Sequence, residues 1–322
     1  MDPLSDILAV TRLKGSLYFR AEFSPPWGVS VPDYRRVARF HFVAHGTCWV
    51  RVDGGAEPVL LEAGDLVVVP LGRAHVLSDL PTRKPAQLDR VVEQAGFDGR
   101  GSLIYRGPEL ERANSDGAEA QTNLVCGHFE YEDDVLSRVM AQMPAAIVLR
   151  KNELGDVHWL RESLRLLARE IEDGRPGSDA LVQRISEMLL IQVLRCHMEL
   201  APEGSRPLGA LKDPRISRSL ELIHHRPEQR WTVAGLAGEA GMSRTAFAQK
   251  FHELMGVAPL EYLTDWRLQR ARRALRETTD PVRRIAYHCG YESEAAFARV
   301  FKRRLGVAPG QYRKDTRAAE PA

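Results

Sequence analysis

Two short segments near the C-terminus carry side chains that can hydrogen-bond to the edges of DNA bases. Arg299 can donate two hydrogen bonds to guanine, and Gln249 can pair with adenine. Thr245 can contact a thymine methyl group, whereas Glu294 can either accept a hydrogen bond from cytosine or interact with a helix dipole. This set of side chains indicates base recognition in a groove of DNA, provided that a scaffold presents them together.

The elements that must position these side chains are two copies of one sequence pattern. The first copy covers 236–251 and reaches Gly-Val-Ala-Pro at 256–259, and the second covers 285–301 and reaches the same four residues at 306–309. A small helical unit that recurs after roughly 50 residues predicts two helix-turn-helix modules joined by one helix. The equivalent positions are Ala237 and Ala286, Gly241 and Gly290, Phe247 and Phe297, Phe251 and Phe301, Pro259 and Pro309, and Tyr262 and Tyr312.

Each copy contains the turn, the cap and the buried face that a helix-turn-helix module needs. Gly241 and Gly290 fall in the turn, where a positive φ angle suits glycine. The phenylalanines of each copy lie four residues apart, which predicts one buried stripe on the second helix. For any single position the alternative is a solvated helical surface, but that alternative does not explain why turn, cap and stripe recur together. The predicted helix caps are Asp213, Thr232, Ser243, Asp280 and Ser293.

The net charge of +2 conceals a basic C-terminal third. Residues 211–317 hold 21 Lys and Arg against 12 Asp and Glu, a balance of +9, and the remainder holds 24 against 31, a balance of −7. A basic region beside an acidic remainder is typical of a nucleic-acid-binding domain attached to another domain. The residues predicted to bind phosphates and to fix the register on DNA are Ser243, Arg244, Ser293, Lys302 and Arg303.

Residues 212–314 resemble the DNA-binding domain of the AraC/XylS family of bacterial transcription regulators. In the first module the matching residues are Ala237, Gly241, Ser243, Phe247, Phe251, Gly256, Pro259, Tyr262 and the run 267–272. In the second module they are Ile285, Ala286, Cys289, Gly290, Tyr291, Ser293, Phe297, Arg299, Phe301, Lys302, Gly306, Pro309, Tyr312 and Arg313.

The resemblance implies that two recognition helices enter successive major grooves on one face of promoter DNA. It also implies RNA polymerase as a partner, an N-terminal domain that binds a small-molecule effector, and helices after that domain that can form a homodimer. The base-reading positions that it implies here are Thr245, Ala248, Gln249, Glu294, Ala295 and Arg299.

The first 132 residues predict a β domain. Short apolar or alternating segments separated by Gly, Pro or Asp are typical of a sandwich or a barrel. Two polar stretches, 80–101 and 107–122, are predicted to be long loops. The predicted strands are 17–23, 36–43, 47–53, 58–61, 66–69, 74–77, 102–106 and 123–131.

The segment from Gly64 to His75 resembles the second sequence motif of cupins, which indicates a cupin-like jelly roll. The first cupin motif, which supplies metal ligands in cupin enzymes, is degenerate here. His41 and His45 would lie on one face of a strand but about 13 Å apart. No metal and no cofactor are therefore predicted, and a metal-dependent cupin enzyme with a DNA-targeting domain is kept as the alternative function.

Histidines and cysteines in the β domain are candidates for effector or signal sensing. Cys126 and His128 share one face of a strand, and with His75 they could line a pocket as metal ligands or as a redox pair. His41 and Cys48 belong to the same candidate group. The alternative is that the cysteines are small buried residues and that the histidines make structural hydrogen bonds.

Helical periodicity begins near residue 133 and gives three apolar stripes, at 135–143, 160–171 and 181–196. The last two predict an antiparallel helical hairpin that serves either dimerisation or a private core. The third stripe consists of Leu181, Ile185, Met188, Leu189, Gln192, Val193 and Cys196.

The sequence thus predicts an α+β multidomain chain with no membrane contact. No signal pattern, no apolar run of about 18 residues and no C-x-x-C pair occurs, so a cytoplasmic location is expected. The expected function is sequence-specific transcription regulation controlled by a small molecule or a redox signal, not enzymatic catalysis. The predicted parts are a cupin-like sensor (1–132), a helical region (133–200), a flexible linker (201–211) and an all-α double helix-turn-helix domain (212–315).

Overall fold

Alternating apolar segments of the N-terminal half form two β-sheets around a shared core. The computed structural model describes residues 2–11, 13–34, 37–55, 57–99, 102–107, 122–131, 135–151, 162–163, 166, 169–170, 175–200 and 209–318. The strands are β1 (Leu13–Ser24), β2 (Gly28–Val31), β3 (Val37–His45), β4 (Thr47–Val52), β5 (Val59–Glu62), β6 (Leu66–Val69), β7 (His75–Ser78), β8 (Ala86–Gln87), β9 (Ser102–Arg106), β10 (Thr122–Tyr131) and β11 (Ile147–Leu149).

The first sheet has the strand order β11-β6-β3-β10-β1-β9, and the second has the order β5-β4-β7-β2-β8. Because side chains alternate along a strand, every second residue points into the space between the sheets. Val43, Val67 and Leu124 of the first sheet and Val50 and Leu77 of the second belong to that buried core. The predicted jelly-roll type of β domain is thereby confirmed.

Four short elements of the β domain escaped the sequence patterns. Strands β2, β8 and β11 have four, two and three residues, which is too short for a clear alternation. Helix α2 (Leu88–Gln94) lies in the stretch 80–101, which was wrongly predicted to be a loop. It forms because Val91 is fully buried and Leu88 and Val92 pack against the same core. Of the other predicted loop, residues 108–121 lie outside the described residues.

The long helix α4 (Ser178–Leu200) packs on β1, β10 and β11. Ile185, Leu189 and Val193 are buried as predicted. Leu181 and Met188 of the same predicted stripe are exposed over 38% and 40% of their surfaces, so the stripe is only partly buried. The buried face of α4 also includes Ser186, Leu190 and Leu194, each of which directly follows a buried residue of the predicted stripe. The apolar positions of the preceding stripe, 160–171, lie outside the described residues.

The C-terminal helices form the second body of the chain. They are α5 (Gly209–Lys212), α6 (Pro214–His225), α7 (Val233–Glu239), α8 (Arg244–Met255), α9 (Pro259–Glu277), α10 (Val282–His288), α11 (Glu294–Leu305) and α12 (Pro309–Ala318). Helix α9 joins the two helix-turn-helix modules, α7–α8 and α10–α11. In the turns, Gly241 has φ 62° and Gly290 has φ 80°, so both glycines adopt the left-handed backbone that was predicted.

Four of the five predicted helix caps are confirmed. Asp213, Thr232, Ser243 and Ser293 each accept a hydrogen bond from a backbone N–H of the helix that follows. Asp280 is not a cap, because α10 begins one residue later than expected and Pro281 holds the cap position. The Asp280 carboxylate instead accepts from the Arg284 guanidinium at 3.3 Å.

Two helices from the N-terminal half of the sequence belong to this same body. They are α1 (Pro3–Val10) and α3 (Val135–Ala141). The compact units of the chain are Leu13–Glu132 with Met143–Ala201, and Met1–Arg12 with Asp133–Gln142 and Pro202–Ala322. The domain boundaries drawn from the sequence at 132, 200 and 211 stay predictions.

Helix α1 is held by a buried polar cluster. The Asp6 carboxylate accepts from His224 Nδ1 at 3.3 Å and lies 3.2 Å from His225 Nε2. His224 Nε2 then accepts from the Tyr262 hydroxyl at 2.8 Å, and the His224 ring stacks on Trp266 with a centroid distance of 3.8 Å. Asp6 thereby joins α1 to α6 and, through His224, to α9.

The predicted linker is partly structured. Residues 201–208 lie outside the described residues, but 209–212 form α5 with Ala210 fully buried. Among the described residues, no helix is both long enough and apolar enough to span a bilayer.

The buried phenylalanines of α11 should dominate the stability of the second module. Phe297→Ala removes a side chain with 0% exposure and should lower the free energy of unfolding by about 3–5 kcal/mol. Lys302→Ala, on the exposed face of the same helix, should change it by less than about 0.5 kcal/mol. Urea unfolding followed by circular dichroism measures both, and similar midpoints for the two variants would contradict this account.

Candidate functional site

Helices α8 and α11 present the predicted DNA-contacting residues on their solvent faces. All of those residues are exposed except Ala248, which is half-buried. The exposed residues are Ser243, Arg244, Thr245 and Gln249 in the first module and Ser293, Glu294, Ala295, Arg299, Lys302 and Arg303 in the second. Each helix has 12 residues, begins at a serine cap and ends at a glycine with positive φ.

The opposite faces of α8 and α11 rest on matching aromatic clusters. In the first module the Phe247 and Phe251 rings lie 5.7 Å apart, and Phe251 meets Tyr262 edge-on at 5.7 Å. In the second module the corresponding centroid distances are 5.3 Å for the two phenylalanines and 5.5 Å from Phe301 to Tyr312. Because α8 and α11 are fixed by equivalent contacts, the two modules present their exposed faces in the same way.

Arginines on the connecting helix and on the recognition helix are used differently. Arg267 of α9 donates to the Pro227 carbonyl at 2.7 Å and to the Gln229 carbonyl at 3.0 Å. Arg272 is buried and donates to the Tyr312 hydroxyl at 3.3 Å. Within the described part of the chain, Arg299 makes no hydrogen bond or ion pair. Arg267 and Arg272 therefore stabilise the helical scaffold, whereas Arg299 is available to bind a partner.

Three of the five predicted sensor residues form one chain of contacts inside the β domain. His41 Nε2 lies 2.8 Å from His75 Nε2, and His41 Nδ1 lies 3.1 Å from Cys126 Sγ. His75 Nδ1 lies 2.7 Å from the Arg73 carbonyl, which can only accept. Strands β3, β7 and β10 thus each contribute one member to a single buried polar chain.

The carbonyl at one end fixes the protons along this chain. His75 Nδ1 must carry a hydrogen, so the neutral ring accepts at Nε2. His41 then donates from Nε2 and accepts at Nδ1, where the Cys126 thiol donates. Every member is satisfied while all three side chains are neutral.

Burial keeps the chain in that neutral state. Desolvation lowers the pKa of His75 to about 4 and, together with the neighbouring His75 and Arg39, holds the pKa of His41 well below its usual range. Burial also raises the pKa of the Cys126 thiol to about 12. A thiol in this state is a poor nucleophile at neutral pH, because the reactive species is the thiolate.

The other two predicted sensor residues stand apart from the chain. Cys48 is buried in the same core, where burial and, to a lesser extent, Cys126 raise the pKa of its thiol. His128 Nε2 contacts Glu130 at 3.1 Å, and burial lowers the pKa of its imidazole. Among the residues that the structure describes, no three His, Cys, Asp or Glu side chains lie close enough together to hold a metal ion.

A cavity of about 280 Å³ lies elsewhere in the same β domain, and sequence reasoning missed it. Its walls come from β4, β5, β6 and β11 and from the segments around Gly54 and Ala145. Most of the lining is Val, Ala, Pro and Gly, so no residue type in the sequence marks it as a site. Among the described residues that line it, Glu57 carries the charge.

The neutral histidines should make the β domain sensitive to acid. Histidine in the unfolded chain has a pKa of about 6.5, whereas folded His75 has a pKa of about 4. Between these two pH values the unfolded state therefore binds a proton that the folded state does not bind. The free energy of unfolding should therefore fall between these values as pH falls. His75→Gln should reduce the slope by about 1.4 kcal/mol per pH unit, because it removes one proton whose binding is linked to unfolding. Unfolding curves across this pH range test it; identical slopes in wild type and His75→Gln would refute the neutral assignment.

Family models and relatives agree with this architecture. A model described as Cupin matches residues 2–199, and one described as Helix-turn-helix domain matches residues 236–315. A putative AraC-like transcription regulator from Streptomyces antibioticus is 33% identical over 300 residues, which is 92% of each chain. A second, from Streptomyces lividans, is 32% identical over 298 residues, again 92% of each chain.

Among solved structures, the DNA-binding domain of AdpA in complex with a target DNA is 37% identical, with a TM-score of 0.32. The match covers 34% of this chain and 97% of that one. The cupin model alone spans more than half of the sequence, and the Streptomyces relatives span nearly all of it. The chain belongs to the family of AraC-like transcription regulators that combine a cupin domain with a helix-turn-helix domain.

Proposed function

We propose that this protein is a sequence-specific DNA-binding transcription regulator whose cupin domain senses a signal. The observation that carries the proposal is the pair of capped helices, α8 and α11, which rest on equivalent aromatic clusters and expose polar faces. The basic charge of residues 211–317 supports binding to a polyanion. Family membership supports double-stranded promoter DNA as that polyanion.

In this proposal the two modules contribute unequally. Arg299 reads guanine, with Lys302 and Arg303 of the same helix on phosphates. The first module contributes Gln249 and Thr245 as base readers, and Ala248 is too small and too buried to reach far. Glu294, Ala295, Ser243, Arg244 and Ser293 complete the proposed contact surface.

Further partners and the cellular location also follow as proposals. RNA polymerase is the expected protein partner, and the cytoplasm is the expected location. Leu181 and Met188 form an exposed apolar pair on α4, which supports a homodimer through that helix. Catalysis is not proposed, because the relatives are named as transcription regulators and because His41, His75 and Cys126 are neutral and buried.

The signal is either a small-molecule effector or an oxidant. The shared interior of His41, Cys48, His75 and Cys126 supports a sensing role for these residues, with His128 at its margin. Their raised thiol pKa and lowered imidazole pKa favour a small molecule over direct oxidation of a thiolate.

Arg299→Ala should relax sequence preference at one base pair of the operator. Loss of a bidentate contact to guanine costs roughly 1–3 kcal/mol on the preferred sequence and less on sequences that lack that guanine. Binding measurements on an operator found by footprinting, with each base pair substituted in turn, give the result.

Lys302→Ala is the matched control on the same helix. As a phosphate contact, Lys302 should weaken binding by a similar factor on all sequences and reduce the salt dependence by about one ion. If Arg299→Ala also weakened all sequences equally, Arg299 would be a phosphate contact. If footprinting detected no protected site in the genome, the proposed function itself would fail.

The rate at which the cysteine thiols react in the folded protein should show whether the signal is an oxidant or a small molecule. Of the four cysteines, Cys196 is half-exposed, and Cys48, Cys126 and Cys289 are buried. A thiol reagent should therefore modify one cysteine quickly in the folded protein and four after unfolding, and Cys196→Ser should remove the fast phase. Rapid peroxide oxidation of folded Cys48 or Cys126, coupled to a change in promoter affinity, would instead establish the oxidant signal.

A further inference from the structure

We infer that the cavity between strands β5 and β11 binds a small, mainly apolar amine and that this amine is the effector. The inference rests on the proposed function, in which the cupin domain senses a signal. The cavity lies outside the polar chain of His41, His75 and Cys126, since none of these residues lines it. It is therefore a second candidate site in the β domain, with its own chemistry.

The cavity exists because both sheets end at this place. Strand β5 is the edge of the second sheet, and β11 is the edge of the first. The space of about 280 Å³ opens to solvent, since Gly54, Gly55 and Glu57 in its lining are exposed. Gly54, Gly55, Ala145 and Ala146 keep it open, because their side chains are too small to fill it.

The walls determine the apolar part of the ligand. Val50 and Val67 are buried and belong to the domain core, and Val59 and Val148 pack against that core. The volume lies near the lower end of the roughly 300–1,000 Å³ that is usual for small-molecule pockets. These dimensions suit a single ring or a short hydrocarbon chain.

Glu57 determines the polar part of the ligand. Its side chain is exposed and lines the cavity, so it provides a carboxylate where the apolar walls meet solvent. A ligand that buries a hydrocarbon group and leaves an ammonium group at this carboxylate satisfies both surfaces. A carboxylate-bearing ligand of the same shape would be repelled.

The chain segment that precedes one wall of the cavity contacts the DNA-binding helices. Residues 144–146 line the cavity, and the chain just before them ends α3. In that preceding segment Gln142 Nε2 donates to the Met255 carbonyl at the end of α8 at 2.8 Å. Arg138 pairs with Asp265 of α9 at 2.8 Å. A ligand that moves 144–146 therefore acts on a segment that holds the first recognition helix and the connecting helix.

Ligand binding in the cavity and DNA binding are coupled in this proposal. A ligand shifts an equilibrium only as far as it binds one state better than the other. If occupancy of the cavity changes how α3 holds α8 and α9, the ligand changes promoter affinity, and promoter DNA changes ligand affinity by the same factor.

Three molecules of nearly equal size test the cavity on the full-length protein. They are 2-phenylethylamine, 2-phenylethanol and phenylacetate, measured by calorimetry. The amine should bind most tightly, about fivefold better than the alcohol, which is the upper range for an exposed ion pair. Binding of phenylacetate as tight as that of the amine, or no binding of the amine, would overturn the proposal.

Two variants and one control assign the binding to this cavity. Ala145→Leu should fill the space and abolish binding of the amine and the alcohol alike. Glu57→Gln should leave alcohol binding unchanged and bring amine binding down to the same level. Glu93→Gln, an exposed carboxylate on α2, should behave like wild type. Undiminished amine binding in both cavity variants would show that the amine binds elsewhere.

Promoter affinity separates failure of this site from failure of the proposed function. The amine should change wild-type affinity for the operator, and it should not change the affinity of Ala145→Leu from the value that this variant has without ligand. Amine binding with no effect on the operator would disprove the effector role. Absence of operator binding in every sample, with amine binding intact, would disprove the regulator function and leave the site standing.

Discussion

A recognition helix can expose one face only if its other face is buried. Helices α8 and α11 have 12 residues each, and isolated helices of that length are marginally stable in water. Burial of two phenylalanines per helix, against Tyr262 or Tyr312, supplies the missing stability. The serine caps, the turn glycines and the long helix α9 all serve this packing. The freedom of the exposed face to carry Arg299 or Gln249 depends on it.

In the interior of the β domain, by contrast, the polar side chains form hydrogen bonds within the domain and are not exposed to a partner. Cys126, His41 and His75 pass hydrogen bonds in one direction and end on a backbone carbonyl. A chain of this kind can hydrogen-bond to a ligand only if one of its own hydrogen bonds breaks, and it resists taking up charge. The cavity between β5 and β11, called the seam cavity below, has apolar walls and an exposed carboxylate, so a ligand can bind there without breaking this chain of hydrogen bonds. The hydrogen-bonded chain and the cavity therefore differ in how readily they can bind a ligand, although both lie in the β domain.

The recurrence of residue types made the DNA-binding half predictable. The serine cap, the turn glycine and the phenylalanine pair each appeared twice, so their structural roles could be deduced from the repeat. Asp280 had no equivalent in the first copy, and its predicted cap was wrong. In the β domain the motif from Gly64 to His75 predicted the fold, and the alternation of strands placed His41, His75 and Cys126 in one interior.

Other features had no local signal. Helix α2 has only two turns and forms because Val91 finds a place in a core made by distant strands. The seam cavity results from the order in which strands end at the sheet edges, and strand order depends on the whole domain. The position of α1 depends on Asp6 meeting His224, more than 200 residues away. Such contacts are set by topology, so no sequence window contains them.

The assembly of the DNA-binding body from three separated stretches has a consequence for its synthesis. Helix α1 is synthesised before the β domain, whereas its partners on α6 and α9 are synthesised after it. The β domain between them can fold while translation continues, since domains generally fold as units during synthesis. Leu4 and Ile7 of α1 are buried in the folded protein. During synthesis their apolar surface stays exposed until the C-terminal helices have left the ribosome. A nascent chain paused after the β domain would therefore present a short apolar helix to chaperones, and release of the full chain would withdraw it.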